Sequence, residues 1–510
     1  MTEHRTPVPH LQDRRSPPQA RVAVLRWFAL AALALLPAGC ISMAPRFTTP
    51  SPPVTPNYGA PGNQEGANAA SLSWRGYFTD PRLAALINQS LEHNRDLRGA
   101  LLRTEEARAL YGIQRADQFP SLAAQASLDR SRIPGDLNLT GRPIVGSQYQ
   151  VVLGLGSWEL DFWGRVRSLK DAALEAYLAT DSARRAATLG LIAEVANGYL
   201  GLLELDERLA LAKLTLASRE ESLRIFTRRV EVGSTSRLDL TQVQALLTQA
   251  QALTAQLEQA REAQFQLLTL LAGSPVDLLP LAAGQPARPG LLDDSHQLVE
   301  LRSGLPSDLL AQRPDILAAE HRLRAAHANI GVARAAFFPR IALTGAFGTA
   351  SAEFDGLFKT GSRAWSFSPS ITVPLFEGGR LRNNLSLAEV RRDLAVAAYE
   401  KTIQTAFREV SDALSARRWL TEQVAIARRA LTVQTERARL SQLRYDNGAS
   451  AFLEVLDAQR DLLTAEQQLV QTRRGVLSSG VSLYAALGGG SLEVSAPTGN
   501  PRQPASRSAP

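Results

Sequence analysis

Four short segments of the chain alternate apolar with polar residues, and longer stretches repeat apolar residues at helical spacing. In Ser121–Arg130, Leu122, Ala124, Ala126 and Leu128 share one parity while Gln125, Ser127 and Asp129 share the other, as in a strand with two unlike faces. Ile341, Leu343, Gly345 and Phe347 repeat that parity. The run 364–377 sets Trp365, Phe367, Ile371, Val373 and Leu375 against Ser366, Ser368, Ser370 and Thr372. Its counterpart 148–162 changes parity between Tyr149–Leu155 and Trp158–Phe162, which predicts a bulge or a barrel exit. Amphipathic helical stretches precede each strand pair (about 80–117 and 307–336) and stop at Phe-Pro, since proline disfavours helix in the residue before it. After the strands, the proline-free runs Arg165–Glu231 and Arg380–Tyr445 would each extend on the order of 100 Å as continuous helices. Each meets a glycine turn, at 232–236 and 447–450, and a return helix follows at about 237–272 and 451–487. In the second return helix Val455, Ala458, Leu462, Ala465, Leu469, Thr472, Val476, Ser479, Leu483 and Ala486 keep a heptad, with large and small residues that suit tight antiparallel coiled-coil packing.

The same order of elements is written twice. Phe119-Pro120 returns as Phe338-Pro339, Asp96-Leu97 as Asp315-Ile316 and Ala107 as Ala326, all 219 residues later. From Gly164-Arg165, which returns as Gly379-Arg380, the offset is 215: Glu194-Val195 returns as Glu409-Val410, Gly233 as Gly448, Leu238-Asp239 as Leu453-Glu454 and Gln244 as Gln459. The change falls between 132 and 147, where Pro134-Gly135 and Gly141-Arg142-Pro143 mark a loop. The expected layout is a signal peptide 1–39, an extended tether 40–79, a first repeat 80–272 with strands 119–132 and 147–162 and a hairpin 165–272, a linker 273–306, a second repeat 307–487 with strands 338–351 and 364–377 and a hairpin 380–487, and a disordered tail 488–510.

Composition narrows the chemistry. With 1 Cys and 6 His in 510 residues, a disulfide framework, a zinc cluster and a thiol redox motif lack their raw material. The net charge of +7 includes no basic block of the kind that binds nucleic acid. The longest apolar run is Trp27–Ala38, 12 residues, short of the ~20 of a spanning helix. That run follows Arg21 and Arg26 and leads to Gly39-Cys40, so 1–39 reads as an export signal. Ala38-Gly39-Cys40 resembles the lipobox of bacterial lipoproteins, which implies that the Cys40 thiol carries lipid. Pro45, Pro50, Pro52, Pro53, Pro56 and Pro61 then make a proline-spaced leash.

Four strands cannot close a membrane barrel, whose smallest members have about eight, so the chain must oligomerise. Three copies would supply twelve strands, with Ser, Thr and Gln facing the lumen and Leu, Ile, Phe and Trp facing lipid. Here the chain resembles the outer-membrane efflux proteins related to TolC, specifically the OprM/NodT-type lipoproteins, over nearly all of 40–490. The carriers are Cys40 with Ala44-Pro45, the run from Trp74 to Leu83, Asn94-Arg-Asp-Leu97, Ala336-Phe-Phe-Pro339, the run from Val373 to Arg380, and Arg444–Ser450 leading to Phe452–Arg460. The resemblance implies a mainly α fold with a transmembrane β-barrel portion, a duplicated half-molecule whose trimer joins a 12-stranded barrel to a periplasmic α-barrel. It implies a non-enzymatic exit duct of a tripartite pump that exports small molecules such as drugs, anchored in outer-membrane lipid. Its partners would be a periplasmic adaptor and an inner-membrane transporter, without cofactor, metal or nucleic acid. By position, the family's gate falls on Leu453 and Asp457 with Arg460 nearby. Independently, Glu454, Asp457 and Asp461 share one helix face, while copy one holds Asp239, Gln242 and Leu246 there, so threefold symmetry would make an acidic ring suited to cations. The tip residues Gly233, Ser234, Thr235, Gly448, Ala449 and Ser450 are the adaptor contacts in family terms. Trp158 and Trp163 either join an interfacial aromatic belt or fill the junction of barrel and helices.

Rival readings are weaker. His321 and His327 lie six apart, on different helix faces, and Gly154-Leu-Gly156 sits in a strand without the helix of a dinucleotide site. A lipid-anchored periplasmic adaptor has one helical hairpin where this chain has two. Service in a type I protein secretion system remains an alternative within the channel class.

Overall fold

The structure, a computed structural model, describes residues 42–55, 58, 66–276, 292, 298–302, 304 and 306–491. The signal segment, Cys40, most of the linker and residues 492–510 lie outside the described residues. The chain forms two compact units, one built from 114–171 and 327–389 with the residues up to Arg46, the other from 47–113, 172–326 and 390–510.

The first unit is a sheet. Strands β1 (Leu122–Ile133), β2 (Ile144–Glu159), β3 (Arg340–Ser351) and β4 (Arg363–Thr372) pair in sequence order, each antiparallel to the next. Copy one and copy two therefore join through β2 and β3 into one sheet. Register carries the alternation across all four strands: Leu128 opposes Tyr149, Leu153 opposes Phe347, and Phe347 opposes Trp365. Gln125, Ser127, Gln150, Ser366 and Ser368 occupy the other face. The register shifts between Leu155 and Trp158, where the parity of β2 changes, so Trp158 joins the apolar face opposite Leu343. β4 ends at Thr372, short of the 377 that alternation predicts, because Pro374 has no N–H to continue a ladder. Trp158 and Trp163 donate from Nε1 to the carbonyls of Gln118 (3.3 Å) and Pro339 (2.9 Å), and Trp163 stacks on Phe338. The Glu159 carboxylate, only 10% exposed, accepts from Arg165 at 2.7 and 2.8 Å and from Arg340 at 2.7 Å, tying the end of β2 to the next helix and to β3.

The second unit is helical. Where one helix is expected over 80–117, two form, α1 (Pro81–His93) and α2 (Arg95–Ala116). Asn94 separates them because its side-chain oxygen caps α2 at the Leu97 N–H (2.9 Å) while its amide donates to the Leu271 carbonyl (2.9 Å). Then come α3 (Arg165–Glu231) and α4 (Arg237–Ala272). Copy two follows with α5 (Pro306–Gln312), α6 (Pro314–Ala335), α7 (Arg380–Asp446) and α8 (Phe452–Ala486). Arg313 stands where Asn94 stood and donates to the Ala486 carbonyl (3.0 Å), which is Leu271 displaced by 215 residues, so even this break is duplicated. Helix α3 contains an 18-residue window apolar enough for a membrane span, but more than half of that window is buried. Of the ten heptad residues of α8, seven are buried, while Leu462, Ala465 and Val476 are half-buried. A one-turn helix, Trp74–Tyr77, locks against α8: Tyr77 and Tyr484 stack at 4.3 Å, and their hydroxyls donate to the carbonyls of Gly480 and Leu72, both at 2.8 Å.

Candidate functional site

The two hairpin tips are built alike. Gly233 and Gly448 adopt φ of +72° and +68°, conformations that cost an L-residue steric strain. Behind each, paired backbone bonds close the helix: Gly233 N–H to Val230 (3.0 Å) and Ser234 N–H to Arg229 (2.8 Å), repeated as Gly448 to Tyr445 (2.9 Å) and Ala449 to Arg444 (2.8 Å). The return helices start differently. Ser236 and Asp239 form a reciprocal capping box on α4, and Thr235 adds a bond to the Asp239 carboxylate (2.9 Å). These hydroxyls hold the Asp239 carboxyl below its ordinary range. In copy two Ala451 occupies the cap with no side-chain bond, and Glu454, the counterpart of Asp239, accepts instead from Arg444 across the turn at 2.9 Å.

The structure brings the predicted constriction residues together on the first turns of α8. Leu453 is 45% exposed. Asp457 pairs with Arg460 at 3.2 Å, Arg460 also reaches Asp461 at 3.1 Å, and Arg437 of α7 donates to Asp461 at 2.6 Å. The hydrogen bond from Arg437 is the main cause that lowers the Asp461 carboxyl, with Arg460 adding to it. Within one chain the face is thus charge-balanced rather than acidic, because Glu454, Asp457 and Asp461 each meet a guanidinium. Sequence reasoning misses Arg437 and Arg444, although a signal exists. Both Arg437–Asp461 and Arg444–Glu454 are centred on Ala449, as residues facing each other across a hairpin must be.

Beneath the tips, residues of both copies share a small core. Phe226, Val243 and Leu456 are almost fully buried, with Leu240, Leu246 and Phe452 packed around them. The Phe452 ring lies 4.4 Å from Phe226 and 4.9 Å from Tyr445, and Arg229 bonds the Tyr445 hydroxyl while lying over both the Phe226 and Tyr445 rings. Farther along, buried Arg219 reaches Gln459 (2.7 Å) and Arg208 reaches Gln467 (2.6 Å), fastening α3 to α8.

A family model described as "Outer membrane efflux protein" matches residues 86–274 and 305–489, the two repeats in turn. The chain belongs to that family. Outer membrane protein OprJ of Pseudomonas aeruginosa is 46% identical over 469 residues, covering 91% of this chain and 96% of that protein. The toluene efflux pump outer membrane protein TtgI of Pseudomonas putida is 44% identical over 478 residues, covering 91% and 99%. A crystallised membrane protein from Pseudomonas aeruginosa superposes with a TM-score of 0.81 at 45% identity, over 88% of this chain and all of that one. The open-state MtrE outer membrane channel of Neisseria gonorrhoeae gives 0.79 at 38% identity, over 88% and 98%. The protein is an outer-membrane efflux channel, a transport duct and not an enzyme, with the TolC-like combination of long helical hairpins and strand pairs.

Proposed function

We propose that three copies of this chain close a twelve-stranded barrel and a helical conduit that together form the exit of a tripartite pump. The observation that carries this is the sheet: β1 and β4 are edges with no partner among the described residues, and one face is apolar and exposed, with Leu122, Leu153, Phe347, Trp365 and Phe367. An open edge and a wet apolar face are both relieved when β4 of one copy pairs with β1 of the next in a bilayer. Cys40 carries the lipid anchor. The tips around Gly233 and Gly448 meet a periplasmic adaptor that couples the duct to an inner-membrane transporter. The cargo is small and largely apolar, drugs and solvents, in line with the toluene efflux named for TtgI.

The constriction is formed by Leu453 and Asp457, with Glu454, Arg460 and Asp461 around them. Opening then means exchanging the ion pairs of Arg437 and Arg444 for contacts with neighbouring copies or water. Light scattering of the detergent-extracted protein should give a trimer, and a monodisperse monomer would overturn the barrel. Cys40→Ala should abolish labelling with radioactive palmitate, whereas undiminished labelling would remove the anchor.

A further inference from the structure

On its two edge strands the apolar face of the sheet ends in charge. On β1, Arg130 and Arg132 continue the parity of Leu122 and Leu128, and Arg363 opens β4 with the parity of Trp365 and Phe367. All three are exposed and sit toward the hairpin ends of their strands, away from the ends that lead into helices. None has a carboxylate partner among the described residues, and Arg363 only lies over the Phe347 ring at 5.9 Å. Of the acidic groups nearby, Asp129 has the opposite parity, Asp355 is held by Lys359 at 2.8 Å, and Asp136 and Glu353 lie in the two hairpin loops without an ion pair to these arginines. Three guanidiniums thus border a lipid-facing apolar surface without internal neutralisation, an arrangement that costs self-repulsion unless an anion is shared.

Arg130 and Arg132 lie on one edge strand and Arg363 on the other. If copies pair β4 to β1, those edges meet, and antiparallel pairing puts the hairpin ends of both strands together. We propose that each seam between copies is a binding site for the phosphate of an outer-leaflet glycolipid, completed by Arg363 of one copy with Arg130 and Arg132 of the next, while the acyl chains lie on Leu128, Phe347 and Trp365. Guanidinium forks match phosphate oxygens two at a time, and the neighbouring apolar face accounts for a lipid rather than a free anion. This rests on the trimeric-barrel reading.

The test is native mass spectrometry of the purified full-length protein in detergent, titrated with diphosphoryl lipid A, with the dephosphorylated lipid, and with inorganic phosphate as competitor. The wild-type trimer should retain up to three diphosphoryl lipids, and the triple variant R130Q/R132Q/R363Q, still a trimer, should bind at least about tenfold more weakly. Equal retention by the triple variant, or equal retention of the dephosphorylated lipid by the wild type, would overturn the site while leaving the barrel standing. Displacement by millimolar inorganic phosphate would overturn the lipid assignment. A monomer in the same spectra would remove barrel and seam together.

Discussion

The tips of the two hairpins reverse the chain through the same glycine and the same backbone bonds, yet their charged groups are committed to different partners. In copy one Asp239 is bound by Ser236 and Thr235 of its own turn, so it stays with its helix whatever the neighbouring helix does. In copy two the cap is bare at Ala451, and Glu454 and Asp461 are tied to Arg444 and Arg437 on the facing helix. A cap stabilises one helix. A cross-hairpin pair stabilises the approach of two, and is lost when they part. Duplication thus supplies two equal backbone frames, and divergence at a few positions gives one a self-contained cap and the other ion pairs to the facing helix.

The sharpest break of this comparison is in the shared core under the tips. Leu456 is 1% exposed, and Leu456→Ala should cost about 2–5 kcal/mol in thermal unfolding of the detergent-solubilised protein, because the cavity lies among Phe226, Val243 and Phe452. The repeat-related Thr241 is exposed, and Thr241→Ala should stay within about 0.5 kcal/mol. Equal effects would mean that the copies are packed alike. Next comes the constriction. An exposed ion pair contributes about 0.2–1 kcal/mol, so Arg437→Gln, which removes a cross-hairpin pair three times in a trimer, should raise open probability in planar bilayers by roughly 3- to 150-fold, and Asp457→Ala, which removes the carboxylate of the constriction itself, should raise it in the same direction. Gln242→Ala, at the matching place in copy one, should leave it unchanged, and an effect there as large as that of Asp457→Ala would dissolve the assignment of the gate to copy two.

The elements that periodicity announces were legible because their signals are local or repeated. Alternation in Ser121–Arg130 and the run 364–377 requires only neighbours in sequence, and the parity change in β2 marks the bulge directly. The Asn94 break was harder, since it depends on a carbonyl 177 residues away at Leu271. The ion pairing of the α8 face is hidden for a related reason. Glu454, Asp457 and Asp461 can be placed on one face by helical spacing alone, but Arg437 enters the picture only when residues are paired by reflection through the tip. The cluster of Phe226, Tyr445 and Phe452 joins residues of both copies and has no sequence signal short of the fold itself.

Smaller effects separate the two tips further. Ser236→Ala should cost about 1 kcal/mol in thermal unfolding and leave conductance unchanged, because it removes a cap and no cross-hairpin link. Acid probes the same distinction. Hydrogen bonding from Arg437 holds the folded Asp461 carboxyl below the ordinary value near 3.9, so its stabilising charge is fully present above that value and is lost only as pH falls through the lower, folded one. Open probability should therefore be flat between about pH 7 and pH 5 and rise only below about pH 4. Arg437→Gln releases Asp461 from its main partner, so the variant should begin open and lose most of this acid response. A rise already complete at about pH 6 in the wild type would assign the opening to a group other than Asp461, a histidine or the Glu466 carboxyl, which burial raises.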